Sequence, residues 1–101
     1  MASIERKKTK ETREIERALK ASGFPDTVCY RHNSASIRIR IIDERFRGKS
    51  RVQRENMVLP ILESLPESTQ IDITILLLLA PDETDISMMN VEFEHPVKST
   101  L

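Results

Sequence analysis

Two histidines, one cysteine and a run of cations are the residues of this 101-residue chain whose types suit chemistry. His32 is a candidate metal ligand, but alone it cannot define a metal site, and its plain role is a strand-end histidine that hydrogen-bonds locally. Cys29 stands three positions before it. In a strand that spacing sends the two side chains to opposite faces, so they make no ligand pair. The plain role of Cys29 is a small buried hydrophobe. Glu92, Glu94 and His95 form a second small set, but strand alternation separates His95 from both acids. There is no Gly-rich phosphate loop, no Cys–His signature and no metal-ligand spacing, so the chain reads as a non-enzyme.

The cations are the stronger signal. Arg38, Arg40, Arg45, Arg47, Lys49, Arg51 and Arg54 put seven positive charges into seventeen consecutive positions. They are the candidate surface for a protein partner or a nucleic acid. Backbone N–H groups at a helix start would add affinity for anions there. No Gly-x-x-Gly clamp accompanies them, and Phe46 stands alone as a platform for stacking bases. The plainer outcome is that these arginines pair with Asp43, Glu44, Glu55 and acids of the C-terminal half.

Net charge is zero, but residues 1–54 carry 15 Lys/Arg against 7 Asp/Glu, while residues 55–101 carry only Lys98 against 9 acids. A +8 half and a −8 half imply a basic docking face, head-to-tail self-association, or halves that neutralise each other on folding. The single cysteine excludes an internal disulfide and fits a reducing cytoplasm. The basic, polar N-terminus has no apolar core of a secretory signal. Ile71–Leu79 is too short to span a membrane.

The elements that must position these residues follow from period and punctuation. Residues 1–10 are charged, without apolar period, and read as a flexible basic start. Thr9 or Thr12 caps a helix through about Ser22, with Ile15, Ala18 and Leu19 on its apolar stripe and Gly23-Phe24-Pro25 ending it. Thr27–His32 is a first strand and Asn33-Ser34-Ala35 a turn. Ser36–Asp43 is a second strand with Ile37, Ile39 and Ile41 inward and Arg38 and Arg40 outward, a sheet covered on one face and open on the other. Ser50 and Gln53 form a capping box, and Val52, Met57 and Leu59 are expected to face inward. Pro60 predicts a kink or break near Leu59, then a short helix Ile61–Leu65 stopped by Pro66. Ile71–Leu79 is a third strand, alternating at first and then apolar on both faces. Met89, Val91 and Phe93 alternate like an edge strand. The expected fold is α+β, one two-layer sandwich in the order helix, strand, strand, helix, short helix, strand over residues 11–83. Residues 84–101 form a C-terminal extension packing on or extending the sheet.

Tyr30-Arg31-His32-Asn33, the strand Ile37–Asp43, Arg45-Phe46 with Gly48, Ser50 and Gln53-Arg54, and Thr74–Leu79 before Pro81-Asp82-Glu83 resemble the BolA family, whose topology is similar to a type II KH domain. The resemblance covers about residues 12–83. It implies an adaptor working with monothiol glutaredoxins and sharing a [2Fe–2S] cluster; some members are described as DNA-binding regulators. By that resemblance His32 falls at one cluster-ligand position. Asp72 stands where the second ligand, a His, is expected, and Glu55 where the helix motif reads Arg-His. A hard carboxylate is a poor ligand for iron–sulfur, so ligation is weakened or lost.

Three functional readings result. The first is a small non-enzymatic BolA-like adaptor docking a protein partner, glutaredoxin-like in the family, through the basic helix–turn surface. The second is a KH-like nucleic-acid-binding domain using the same cations. The third is a homo-oligomeric structural protein, a homodimer or larger, in which the +8 half of one subunit meets the −8 half of another; separately, a partner subunit should cover Leu76 and Leu78 if the tail does not.

Overall fold

The computed structural model describes residues 7–97. Helix α1 spans Lys10–Ala21, strand β1 Thr27–Asn33, strand β2 Ser36–Ile42, helix α2 Arg51–Leu62, helix α3 Glu67–Asp72, strand β3 Ile73–Leu79 and helix α4 Met88–Glu94. The fold is α+β in the expected order. Residues 1–6 of the expected flexible start lie outside the described residues. Lys8 to Lys10, in contrast, are held in place. Lys8 bonds Glu16 and the Cys29 carbonyl, and Thr9 is the N-cap of α1 in a reciprocal box with Thr12.

The sheet order is β1-β2-β3, with β1 and β2 an antiparallel hairpin and β3 parallel to β2. Ile37, Ile39 and Ile41 are fully buried on the face covered by α1 and α2. Ile15 and Leu19 reach them from α1; Val58 and Leu62 reach them from α2. The hairpin turn is tied by Asn33, whose side-chain oxygen accepts from the Ala35 amide at 2.8 Å. Gly23, at φ +98°, takes the left-handed conformation that ends α1.

Four expectations need correction. First, the second face of the sheet is not open. Met89, Val91 and Phe93 belong to α4, not to an edge strand, and α4 lies across that face. Ser87 caps the helix through the Asn90 amide at 3.1 Å. Asn90 and Phe93, three apart, are the residues it buries; of the alternating set Met89, Val91 and Phe93, only Phe93 is buried. Second, α2 passes through Pro60 to Leu62 without a break. Pro60 lies in the last turn, and it and Asn56, whose carbonyl loses its donor, are both solvent-exposed, so water replaces the bond. The second short helix forms after Pro66, as α3. Third, α2 turns Val58 and Leu62 inward, with Met57 half-buried, while Val52 and Leu59 are 64% and 38% exposed. Fourth, β3 starts at Ile73, because Ile71 and Asp72 end α3, and it is an edge strand. Leu78 is buried in the main core and Leu76 packs half-buried beside it. Among the described residues no helix is long and apolar enough to cross a membrane.

Candidate functional site

The cation run divides by element. Arg38 and Arg40 leave β2 beneath α4. Arg38 donates to Glu92 at 2.6 Å, and Arg40 to Asn90 and Glu94 at 2.9 and 2.8 Å. The Arg40 guanidinium also stands 4.9 Å from the Phe93 ring centroid. Their Nε atoms are buried with no hydrogen-bond partner among the described residues. Arg45 grips Asp43 through two bonds of 2.9 Å and lies over the Phe24 ring. Arg47 pairs with Glu44 and with Asp82. Arg54 donates to both oxygens of Glu83 at 2.6 and 2.9 Å and to the Leu78 carbonyl at 2.9 Å. Arg51 meets Glu55 at 3.2 Å with its side chain 88% exposed, and Lys49 makes no ion pair among the described residues. Six of the seven cations therefore have carboxylate partners. The pairs of Arg38, Arg40, Arg47 and Arg54, with Arg31–Asp72, join the basic half to the acidic half. The charge split is closed in part within the molecule, by these five pairs.

These pairs set pKa values. The Arg54 guanidinium and the Ala80 amide hold the Glu83 carboxyl at about 2. Hydrogen bonds from Arg45, Arg47 and Arg38 lower Asp43, Glu44 and Glu92. A carboxyl lowered by folding stabilises the protein above its unfolded pKa of about 4.3 and loses that stabilisation as pH falls through the folded value. Acid unfolding is therefore expected to begin below about pH 4.5. A Glu83→Gln variant should show a shallower loss of stability between about pH 4.5 and 2 in denaturant titrations. An unchanged acid limb would show that the Arg54–Glu83 pair adds nothing to it.

His32 is half-buried, and burial with the nearby Arg38 charge lowers its pKa. Its Nδ1 is buried without a partner among the described residues. Its charged neighbours include Arg38 and Glu92, on the α4 side of the sheet. Asp72 instead accepts from Arg31 at 3.2 Å, and Arg31 stands opposite Ile37, whose side chain lies on the other face. The two ligand positions implied by the resemblance therefore diverge. Cys29 is fully buried, and burial first and Glu16 second push its thiol up to about 12. No group of three or more His, Cys, Asp or Glu suited to a metal occurs among the described residues. This donor set does not fit a [2Fe–2S] cluster. A thiol so protected is inert. Cys29 should resist thiol reagents in the native protein at neutral pH and react once denaturant is added; rapid native labelling would contradict its placement.

Two features escaped the sequence reading. On α1, Lys10, Arg13, Arg17 and Lys20 recur at spacings of three, four and three. All are exposed, and none is in an ion pair among the described residues. That spacing was readable as a helical stripe opposite Ile15 and Leu19. The second is a groove of about 500 Å³ along β3, with Lys49 and Arg51 at its rim and Met89 of α4 on its far side. Every aromatic side chain is buried: Phe24 stacks on Phe46, and Tyr30 meets Phe93 at a tilt. No family model, curated protein or solved structure matches the chain.

Proposed function

We propose that this chain is a small non-enzymatic adaptor that docks an acidic protein surface through the solvent face of α1. The observation that carries the reading is the exposed stripe Lys10, Arg13, Arg17 and Lys20, none of which is in an ion pair among the described residues, although Glu11 and Glu14 stand beside Lys10. It spans about 15 Å at the helical rise. The arginines of β2 and of the turn before α2 are already matched internally, so they hold the fold more than they recruit. Exposed, unpaired charge steers association and selects a partner of opposite sign. With no exposed aromatic platform, stacking of single-stranded bases has no support here. Through the BolA resemblance, a monothiol glutaredoxin is the partner to try first, bound as protein without a shared cluster.

Titration calorimetry at low and at moderate salt separates the readings. The wild type should bind the glutaredoxin, and Arg13→Glu with Arg17→Glu should weaken binding at least about tenfold. Binding to a duplex oligonucleotide instead, with a log–log salt slope of about −0.9 per neutralised phosphate, would assign the stripe to nucleic acid. Failure to bind either at low salt would remove the stripe as a docking surface.

A further inference from the structure

The two edges of the sheet are treated differently. On β1, Glu16 accepts the Cys29 amide at 2.9 Å and Lys8 donates to the Cys29 carbonyl, so an ion pair from α1 and the segment before it occupies the outer edge. On β3 the Arg54–Glu83 pair closes only the far end of the edge, at the Leu78 carbonyl and the Ala80 amide. The Leu79 carbonyl accepts from Asp43, which follows β2, so alternation turns the peptide groups of Leu76 and Leu78 outward. Arg54 takes the Leu78 carbonyl. The Leu76 N–H, the Leu76 carbonyl and the Leu78 N–H have no partner among the described residues. The strand behind them, Ile-Thr-Ile-Leu-Leu-Leu-Leu, has none of the charges or prolines that usually protect an edge.

We infer that the β3 edge pairs antiparallel with the β3 edge of a second copy, on a two-fold axis through Leu76, giving one continuous six-stranded sheet. This goes beyond the adaptor reading and uses a different surface. Charge complementarity selects the occupant. The Leu78 end of the edge is flanked by Lys49, just before α2, while Arg51 lies between the two ends, paired with Glu55. The Ile73 end is flanked by Glu63, which caps the end of α2. Antiparallel pairing puts the cationic end of each copy against the acidic end of the other. It also sets the two α2 helices side by side with opposed dipoles. Leu59 of α2, 38% exposed, and Met89 of α4, 46% exposed, flank the edge on its two faces. A two-fold contact buries both, twice, on self-complementary surfaces. The helix layer then runs α1, α2, α2, α1, and the cation stripes lie at its outer ends, clear of the seam.

Two measurements on the full chain decide it. Sedimentation across a concentration series should show monomer and dimer in exchange. Amide hydrogen exchange on the same samples should show protection of Leu76 and Leu78 that grows with concentration, while Ile75, Leu77 and Leu79 stay protected throughout. Glu63→Arg should weaken the dimer at least about tenfold, and adding Lys49→Glu should restore most of that loss. Both positions are exposed, so neither variant endangers the fold. A monomer at every soluble concentration would overturn the inference. So would a dimer that leaves Leu76 and Leu78 exchanging freely, or one indifferent to Glu63→Arg. The stripe on α1 is untouched by either variant, so loss of the dimer with retained partner binding separates this result from the adaptor reading.

Discussion

Phe93→Ala is expected to lower the free energy of unfolding by about 3–5 kcal/mol, the range for deleting a fully buried aromatic ring. Phe93 is completely buried between α4 and the sheet. Its ring centroid lies 4.9 Å from that of Tyr30 at a tilt of 58°. The same ring lies against the Arg40 guanidinium, and its carbonyl accepts the Tyr30 hydroxyl at 2.7 Å. Removing the ring leaves a cavity bounded by the Tyr30 ring and the Arg40 guanidinium. Urea unfolding of wild type and variant measures the loss. Two controls localise it. Tyr30→Phe keeps the ring and removes the hydroxyl's bond to the Phe93 carbonyl and its long contact from Arg38, and should cost about 1 kcal/mol. Val91→Ala, on the exposed side of the same helix, should be nearly neutral. A loss for Phe93→Ala no larger than that for Val91→Ala would mean that α4 does not cover the sheet.

The second large effect is expected at Glu16. Its carboxylate is held by Lys8 and in turn holds the Cys29 amide, with side-chain exposures of 11% and 16% for Lys8 and Glu16. Glu16→Ala leaves an ammonium without its counter-charge and an amide without its acceptor. The expected cost is about 2–3 kcal/mol, below the value for a fully dry pair because both groups keep some contact with water. Glu16→Gln separates the two losses, since its amide oxygen still accepts from Cys29 while the charge is gone. It should recover part of the stability. Faster exchange of the Cys29 amide in Glu16→Ala, with little change at Tyr30, is the local readout. Equal exchange in wild type and variant would show that Glu16 does not close that edge.

The parts of the fold that were legible in the sequence are those with redundant signals. Ile37, Ile39 and Ile41 alternate with two arginines, and a strand is the simple solution. Ser50 with Gln53 announces a helix start from two residues that bond each other's backbones, as they do. Pro60 misled because its penalty depends on position: a proline near the end of a helix, with its orphaned carbonyl in water, costs far less than one in a buried middle. The tail misled for a different reason. Met89, Val91 and Phe93 fit a period of two, while Asn90 and Phe93 fit a helix, and only the presence of an uncovered Tyr30–Arg38–Arg40 face decides between them. That face is a tertiary fact. The arginines were legible as charges but not as partners, because Arg38–Glu92 and Arg40–Glu94 join residues 54 positions apart. The stripe on α1 was overlooked although its spacing is local. The cations are densest at Arg45–Arg54, but freedom from a counter-ion, which is what matters for recruitment, is a tertiary property that charge count does not carry.

The Lys8–Glu16 clamp on Cys29 also bears on the valence of the molecule. A sheet that could pair at both ends would be a divalent unit, and divalent units that join end to end grow without limit into ribbons. Filling the Cys29 positions from within the same chain blocks that edge at its middle residue and favours union through β3 alone. On this view a single carboxylate on α1 acts against chain growth, favouring a closed pair over an open polymer.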